Sequence, residues 1–365
     1  MLTERVVIEE VQVSAYLIPT DAPEADGTIN WSSTTLVLVE LTAGGQVVIC
    51  YTYGNAVIAE FIYKDLKKLI QGADALHNNR ITNDLIRHIR NEGTCGIAMM
   101  AVSAVDNALW DLKAKIFETP LCLLLGSVID GMEVYGSGGF TSYTSQQLEQ
   151  QLSGWADEGI KSVKMKIGTH PEKDPDRVKQ ARKAIGESNA LFVDANGAYS
   201  VKQAIHMAEE FNEYGVSWFE EPVPSDDLNG LCFIRNHVPG NIRITAGEYG
   251  YHGPYFESML RAGAVDVFQA DATRCGGITG FLKAGILSEG HQVHFSSHCA
   301  PSIHLHAAIT LNNFYIAEYF HDHVRIEKML FDGICQPQDG IMYPDLSRPG
   351  LGIAFRQKDA EKYKI

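Results

Sequence analysis

The chain has 365 residues, 45% of them hydrophobic and 21% charged, and a formal net charge of −15. That length is too great for one small domain and fits two, or a barrel with an addition, in an ordinary globular chain able to bury a large core. The acidic balance excludes a general nucleic-acid or acidic-membrane binder, and it obliges a carboxylate substrate to meet a local cation, from lysine or a metal.

In chain order, Val6–Ile18 and Thr35–Leu41 alternate or run β-rich, and Gln46–Tyr53 follows a Gly44-Gly45 turn as a hairpin partner. Helical patterns follow at Ala56–Gln71, Asp84–Arg90 and Ile97–Ile116. In the last, Val102, Val105, Leu109, Leu112 and Ile116 step by three and four. Strands first and helices later predict an α+β domain over residues 1–130. Over residues 131–330 strand and helix patterns alternate. The strands are expected at Glu133–Gly136, Ser162–Ile167, Leu191–Ala195, Val216–Glu220, Ile242–Gly247, Val265–Ala270, Gln292–Ser297 and Phe314–Glu318. Helices such as Pro175–Ile185, Val201–Tyr214 and Gly277–Glu289 lie between them. The pattern predicts an α/β fold, a closed parallel (β/α) barrel. An open doubly wound sheet is disfavoured because no Gly-rich fingerprint opens the first helix, and Gly136-Ser-Gly-Gly139 reads as a turn. The tail, residues 331–365, is rich in Gly and Pro and is expected to cross the outside or return to the first domain.

Seven cysteines with no CxxC pair read as reduced thiols rather than a disulfide framework or zinc ribbon. Met1–Arg5 runs straight into a strand pattern, with no leader pattern and no apolar run long enough to span a bilayer. The expected location is therefore cytoplasmic, with no membrane partner. The oligomeric state is left open, a homo-oligomer included.

The segment Lys161-Ser-Val-Lys-Met-Lys-Ile167 carries the most information. Val163, Met165 and Ile167 alternate with Ser162, Lys164 and Lys166, so both ammonium groups leave the strand on one face. Alone this reads as an edge strand with a wet face. The later strands change that reading, because their carboxyl ends carry Asp194, Glu220 and Glu221, Glu248, Asp271, His298 and Glu318 in order. Catalytic groups of a (β/α) barrel come from those ends. Asp194, Glu220 and Glu248 would crowd negative charge, which a divalent cation relieves, and all-oxygen ligation suits Mg²⁺. Glu221 has the opposite strand phase and is expected to turn away. Zinc is disfavoured for want of a Cys/His set. His294, the His304/His306 pair and the His321/His323 pair read as packed or hydrogen-bonded histidines.

Together Lys164-Met-Lys166, Asp194, Glu220, Glu248, Asp271 with His298 27 residues on, and Glu318 resemble the enolase superfamily, and within it the mandelate racemase subgroup. The helix Ala101-Val-Ser-Ala-Val-Asp-Asn-Ala-Leu-Trp-Asp-Leu112 echoes the small-residue helix before that family's barrel. The resemblance covers nearly the whole chain. It implies a barrel under an N-terminal α+β cap whose loops, around Thr20–Trp31 and Tyr51–Gly54, choose the substrate. It also implies Mg²⁺ on Asp194, Glu220 and Glu248, and an enzyme that removes the α-proton of a small carboxylate through an enediolate. Lys166 would be the base on one face, its proton affinity lowered by Lys164. His298, oriented by Asp271, would be the base or acid on the other. Glu318, protonated, would donate a hydrogen bond to the substrate carboxylate. The pattern fits a lyase, an acid-sugar dehydratase, and also an isomerase, a racemase or epimerase of an α-hydroxy acid; the resemblance places most related activities with dehydration, which is the main reading. A polar, acidic Thr20–Trp31 segment favours the sugar acid. A non-catalytic binding protein is the third reading, disfavoured because every expected site residue is present.

Overall fold

The computed structural model describes residues 5–365. Three antiparallel strands open it: β1 (Ile8–Ala25), β2 (Asn30–Ala43) and β3 (Gln46–Tyr53), in that order across the sheet. Gly44 and Gly45 both take positive φ between β2 and β3, as a tight hairpin turn requires. The β1–β2 hairpin is longer than the alternation suggested. After a register shift between Pro19 and Glu24, Glu24 pairs with Trp31 and Ala25 with Asn30, so most of the expected Thr20–Trp31 loop is a strand arm. Trp31 Nε1 donates to Glu24 Oε2 at 2.7 Å, and the Trp31 ring meets Phe140 edge-on at 5.6 Å, which ties the arm to the barrel mouth. The turn itself is held by Asp26 Oδ1, which accepts from the backbone N–H groups of Thr28 and Ile29.

Helices at Val57–Ile70, whose middle turn is π-helical, Asn78–His88 and Gly96–Ile116 follow. The last is buried on both sides, because its polar residues face the barrel rather than water. Ser103 accepts from the Gly276 N–H. Asn107 bridges the Ala272 carbonyl and the Ile278 N–H, and Asp106 accepts from the Thr279 N–H and hydroxyl. Buried polar groups paired in this way lock cap to barrel without orphaned donors.

Eight parallel strands then close into a barrel: β4 (Met132–Gly138), β5 (Ser162–Lys166), β6 (Ala190–Asp194), β7 (Val216–Glu220), β8 (Arg243–Ala246), β9 (Val267–Ala270), β10 (His294–Ser297) and β11 (Phe314–Phe320). β11 pairs with β4 to complete the ring. Of the cluster read as a turn, Gly136, Ser137 and Gly138 lie in β4, and only Gly139, at φ 56°, leaves the strand. A Cβ on Gly136 would sit 2.3 Å from the Trp155 ring, so only glycine lets the helix Ser145–Asp157 pack there. Gly136→Ala is expected to destabilise the fold by about 1–3 kcal/mol, read from the midpoint of chemical unfolding.

Inside the barrel the two-residue strand period builds layers. Tyr135, Phe192, Trp218, Val267 and Ile316 form an apolar floor, with Phe192 stacked on Trp218 at 4.9 Å. Two residues further along the same strands stand Ser137, Asp194, Glu220, Gln269 and Glu318, all buried. The tail pairs Ile341–Met342 with β4 and ends on the cap, where the Ile365 N–H donates to the Ala15 carbonyl. No helix among the described residues is long and apolar enough to cross a membrane.

Candidate active site

Lys164 lies in the layer above the floor, fully buried. Its Nζ contacts Glu220 and is 2.8 Å from Glu318 Oε1 and 3.4 Å from Asp194 Oδ2. Lys166, one step nearer the mouth, bonds to Asp194. Asp194, Glu220 and Glu248, from the ends of β6, β7 and β8, are all buried and offer oxygens within 4.8 Å of one another. On the other side His298 Nδ1 is 2.8 Å from Asp271 Oδ2. Glu318 accepts from Ser137 Oγ at 2.6 Å and from the Cys299 N–H at 2.9 Å. Lys166, Glu248, Asp271 and His298 line one cavity of about 370 Å³, roofed by cap residues that include Trp31 and Tyr53. A larger cavity, about 550 Å³, lies outside the barrel between the helix Asn78–His88 and the segment Tyr251–Leu287. It is mostly apolar and has no carboxylate in its lining, so it lacks the acid cluster found at the barrel mouth.

The three acids fit a hard divalent cation. Their donor set is all oxygen, and Glu248 Oε2 is buried without a hydrogen-bond partner. Burial, with Asp194, Glu318 and Glu248 around it, pushes Glu220 up to about 8 against the pull of Lys164. The lysines alone therefore do not hold all three acids ionised. Glu221 stands outside the triad. Its backbone takes φ 39°, and its side chain lies along a separate cavity with Pro224 and Tyr255.

Two expectations about protonation meet a different balance of charges in this structure. Lys164 lowers the proton affinity of Lys166 by like-charge repulsion, as expected, and burial acts the same way, but the contact with Asp194 outweighs both and holds the ammonium above its usual range. Glu318 was expected to be protonated. Burial favours that form, yet Lys164 and His298 hold the carboxyl well below its usual range, and both oxygens accept hydrogen bonds. In this arrangement it accepts hydrogen bonds and fixes Lys164. Asp271 is ionised, because His298 overcomes its burial. Burial disfavours the His298 cation, but Glu248, Glu318 and the Asp271 hydrogen bond outweigh it and raise its pKa.

The other histidines divide. His294 is exposed at the start of β10, the end away from the site, with its ring against Tyr315 at 5.5 Å. His304 Nε2 accepts from the Ala272 N–H, so its Nδ1 carries the proton and donates to the Cys299 and Ala300 carbonyls. His306 Nδ1 accepts from the Cys122 N–H, and His321 pairs with Asp21. His323 lines the active cavity, stacked on Tyr53 at 3.5 Å. Sequence reasoning missed that placement, and it missed Arg274. The Arg274 guanidinium is 3.5 Å from Glu248 Oε1 and 3.7 Å from Asp271 Oδ2, over the Tyr249 ring. Its only signal was a cation three residues after a strand-end acid. Because Arg274 lowers the His298 pKa, Arg274→Leu is expected to move the His298 limb of the pH–kcat/KM profile to higher pH.

A closed barrel with a lysine pair, an acid triad and an Asp–His dyad under an antiparallel cap defines an enzyme of the enolase superfamily. The chain belongs to the mandelate racemase/muconate lactonizing enzyme family. The N-terminal domain model of that family matches residues 10–126, and an enolase C-terminal domain-like model matches residues 147–360. The chain is 48% identical to a mandelate racemase/muconate lactonizing enzyme-like protein from Rubrobacter xylanophilus. That crystal structure matches with a TM-score of 0.96 over 98% of this chain and 99% of the other. It is 33% identical, over 309 residues, to the 3,6-anhydro-alpha-L-galactonate cycloisomerase of Streptomyces coelicolor, covering 82% of this chain and 85% of the relative. A third match is the L-talarate/galactarate dehydratase of Salmonella typhimurium, solved with Mg and L-lyxarohydroxamate. It is 27% identical, with a TM-score of 0.90 over 99% of this chain and 93% of that one.

Proposed function

We propose that the protein is a Mg²⁺-dependent acid-sugar dehydratase, which removes the proton next to a sugar acid's carboxylate and expels the β-hydroxyl as water. The observation that carries the proposal is the cavity shared by Lys166 and the Asp271–His298 dyad, which arise from β5 and β10, three places apart around the ring. Mg²⁺, held by Asp194, Glu220 and Glu248, would supply positive charge to the carboxylate oxygens as the enediolate forms.

Lys166, in its amine form, takes the α-proton, and the C–H electron pair passes into the enediolate. Lys164, fixed by Glu318, sets a permanent positive charge below the same oxygens. Asp271 accepts from His298 Nδ1, which leaves Nε2 to give its proton to the departing β-hydroxyl. The electron pair returns to form the C–C double bond, water leaves, and the enol tautomerises to a 2-keto-3-deoxy acid. Cap residues Ser33, Thr34 and Asn55 give the cavity a wall suited to hydroxyl groups. The dehydratase relative supports the same chemistry. Free thiols at all seven cysteines fit a reducing compartment, the cytoplasm.

The two groups facing one cavity also suit 1,1-proton transfer, as in a racemase or epimerase of an α-hydroxy acid. A panel of sugar acids and α-hydroxy acids incubated with Mg²⁺ in D₂O separates the readings. Dehydration yields a 2-keto acid, whereas racemisation or epimerisation yields deuterium in recovered acid without a keto product. Turnover of no acid in either way would reject both.

A further inference from the structure

We infer that the cavity selects a monocarboxylate sugar acid, one whose end remote from the α-carbon is an uncharged hydroxyl or methyl terminus, over a dicarboxylate. This rests on the dehydratase reading and concerns only the far end of the substrate.

The argument starts from where the cavity keeps its charges. Its two basic side chains, Lys166 and Arg274, both stand at the barrel ends and are already engaged, Lys166 by Asp194 and Arg274 by Glu248 and Asp271. The wall contributed by the cap and by the helix His321–Leu330, which follows β11, includes Ser33, Thr34, Tyr53, Asn55 and His323, with no lysine or arginine among the lining residues there. The one ionisable acid on that wall is Asp26, 6% exposed, and it carries a charge of the same sign as a second substrate carboxylate.

His323 does not supply the missing cation. Burial, and then repulsion from His298, lowers its pKa to about 3, so the ring is neutral near pH 7. Arg325, two residues further along the same helix, is no substitute. It bonds to Asp322 and to the Pro19 carbonyl and does not line the cavity. A second carboxylate brought against this wall would lose its water without gaining a cationic partner and would face Asp26 as well. Hydroxyl groups meet the opposite situation. Tyr53 Oη and His323 Nδ1 are buried without hydrogen-bond partners, and Ser33 and Asn55 add short neutral groups. A neutral polyol end can both donate to and accept from such a wall.

The test compares matched pairs of sugar acids with the same configuration along the carbon chain, one ending in CH₂OH and the other in a carboxylate, each with Mg²⁺. The expected result is a kcat/KM for the monoacid about 10²-fold or more above that of its diacid partner, since like-charge juxtaposition is a strong discriminator. A second variant keeps the test independent of one substrate pair. Asp26→Asn retains the Oδ1 acceptor that Thr28 and Ile29 use but removes the charge, and it should narrow the ratio mainly through the diacid's KM. Diacids turned over as well as or better than their partners would overturn the inference and leave the dehydratase reading standing. Neither class giving keto acid or α-deuterium exchange would remove the dehydratase reading, and this inference with it.

Discussion

His298→Asn is expected to stop dehydration, with a fall in kcat of about 10²–10⁴-fold, the usual contribution of a general acid or base. Asparagine can still bond to Asp271, whose carboxylate lies 2.8 Å from His298 Nδ1, but it has no proton of comparable acidity to give the leaving hydroxyl. If Lys166 is the group that takes the α-proton, the variant should still wash deuterium from D₂O into the α-position of unreacted acid, followed by NMR. Lys166→Ala should lose that exchange. The reverse pattern, exchange kept by Lys166→Ala and lost by His298→Asn, would give the α-proton to His298. Wild-type rates of product formation by His298→Asn would exclude the dyad from catalysis altogether.

Glu220→Gln is expected to weaken Mg²⁺ binding by about 10²-fold or more, more than the loss of an outer partner usually costs, and to remove activity with it. The neighbouring Glu221→Gln should do much less, because Glu221 turns out of the triad at φ 39°. Isothermal titration calorimetry on the two variants makes the comparison, and a reversal would mean that the second glutamate is the ligand. The same measurement carries a pH dependence. Glu220 is pushed up to about 8 and must lose its proton to bind the cation, so affinity should rise as the pH is raised from about 6 toward 8 and proton release should accompany binding.

Much of the site was legible because a barrel strand exposes its function at fixed phase. Phe192-Val-Asp194, Trp218-Phe-Glu220 and Ile316-Ala-Glu318 each place an apolar floor residue and, two residues on, an acid. The order of charges along the chain therefore carries the order of charges around the mouth. What was not legible depends on partners far away in sequence. The arm from Thr20 to Trp31 breaks strand alternation at Pro19 and Pro23, and it is held by Trp31 against Glu24 and Phe140. Gly136–Gly139 has turn composition, and the Trp155 ring lying across Gly136 and Gly138 is what makes glycine a strand residue there. His323 joins the cavity through Tyr53, and Arg274 through Glu248, contacts that no local pattern announces. The net charge balance at Glu318 and Lys166 was not legible for a related reason. Each charge was weighed against one neighbour, whereas burial brings several within a few ångströms.

The central claim is that Lys166 and the Asp271–His298 dyad address the same α-carbon while Asp194, Glu220 and Glu248 hold the cation that stabilises the enediolate. A crystal structure of the protein with Mg²⁺ and a sugar hydroxamate, an enediolate mimic, tests it most directly. The account predicts the hydroxamate oxygens on a cation held by Asp194, Glu220 and Glu248, with the carbon that stands for the α-position between Lys166 Nζ and His298 Nε2. A cation held by other residues, or a ligand whose α-carbon reaches neither side chain, would contradict it.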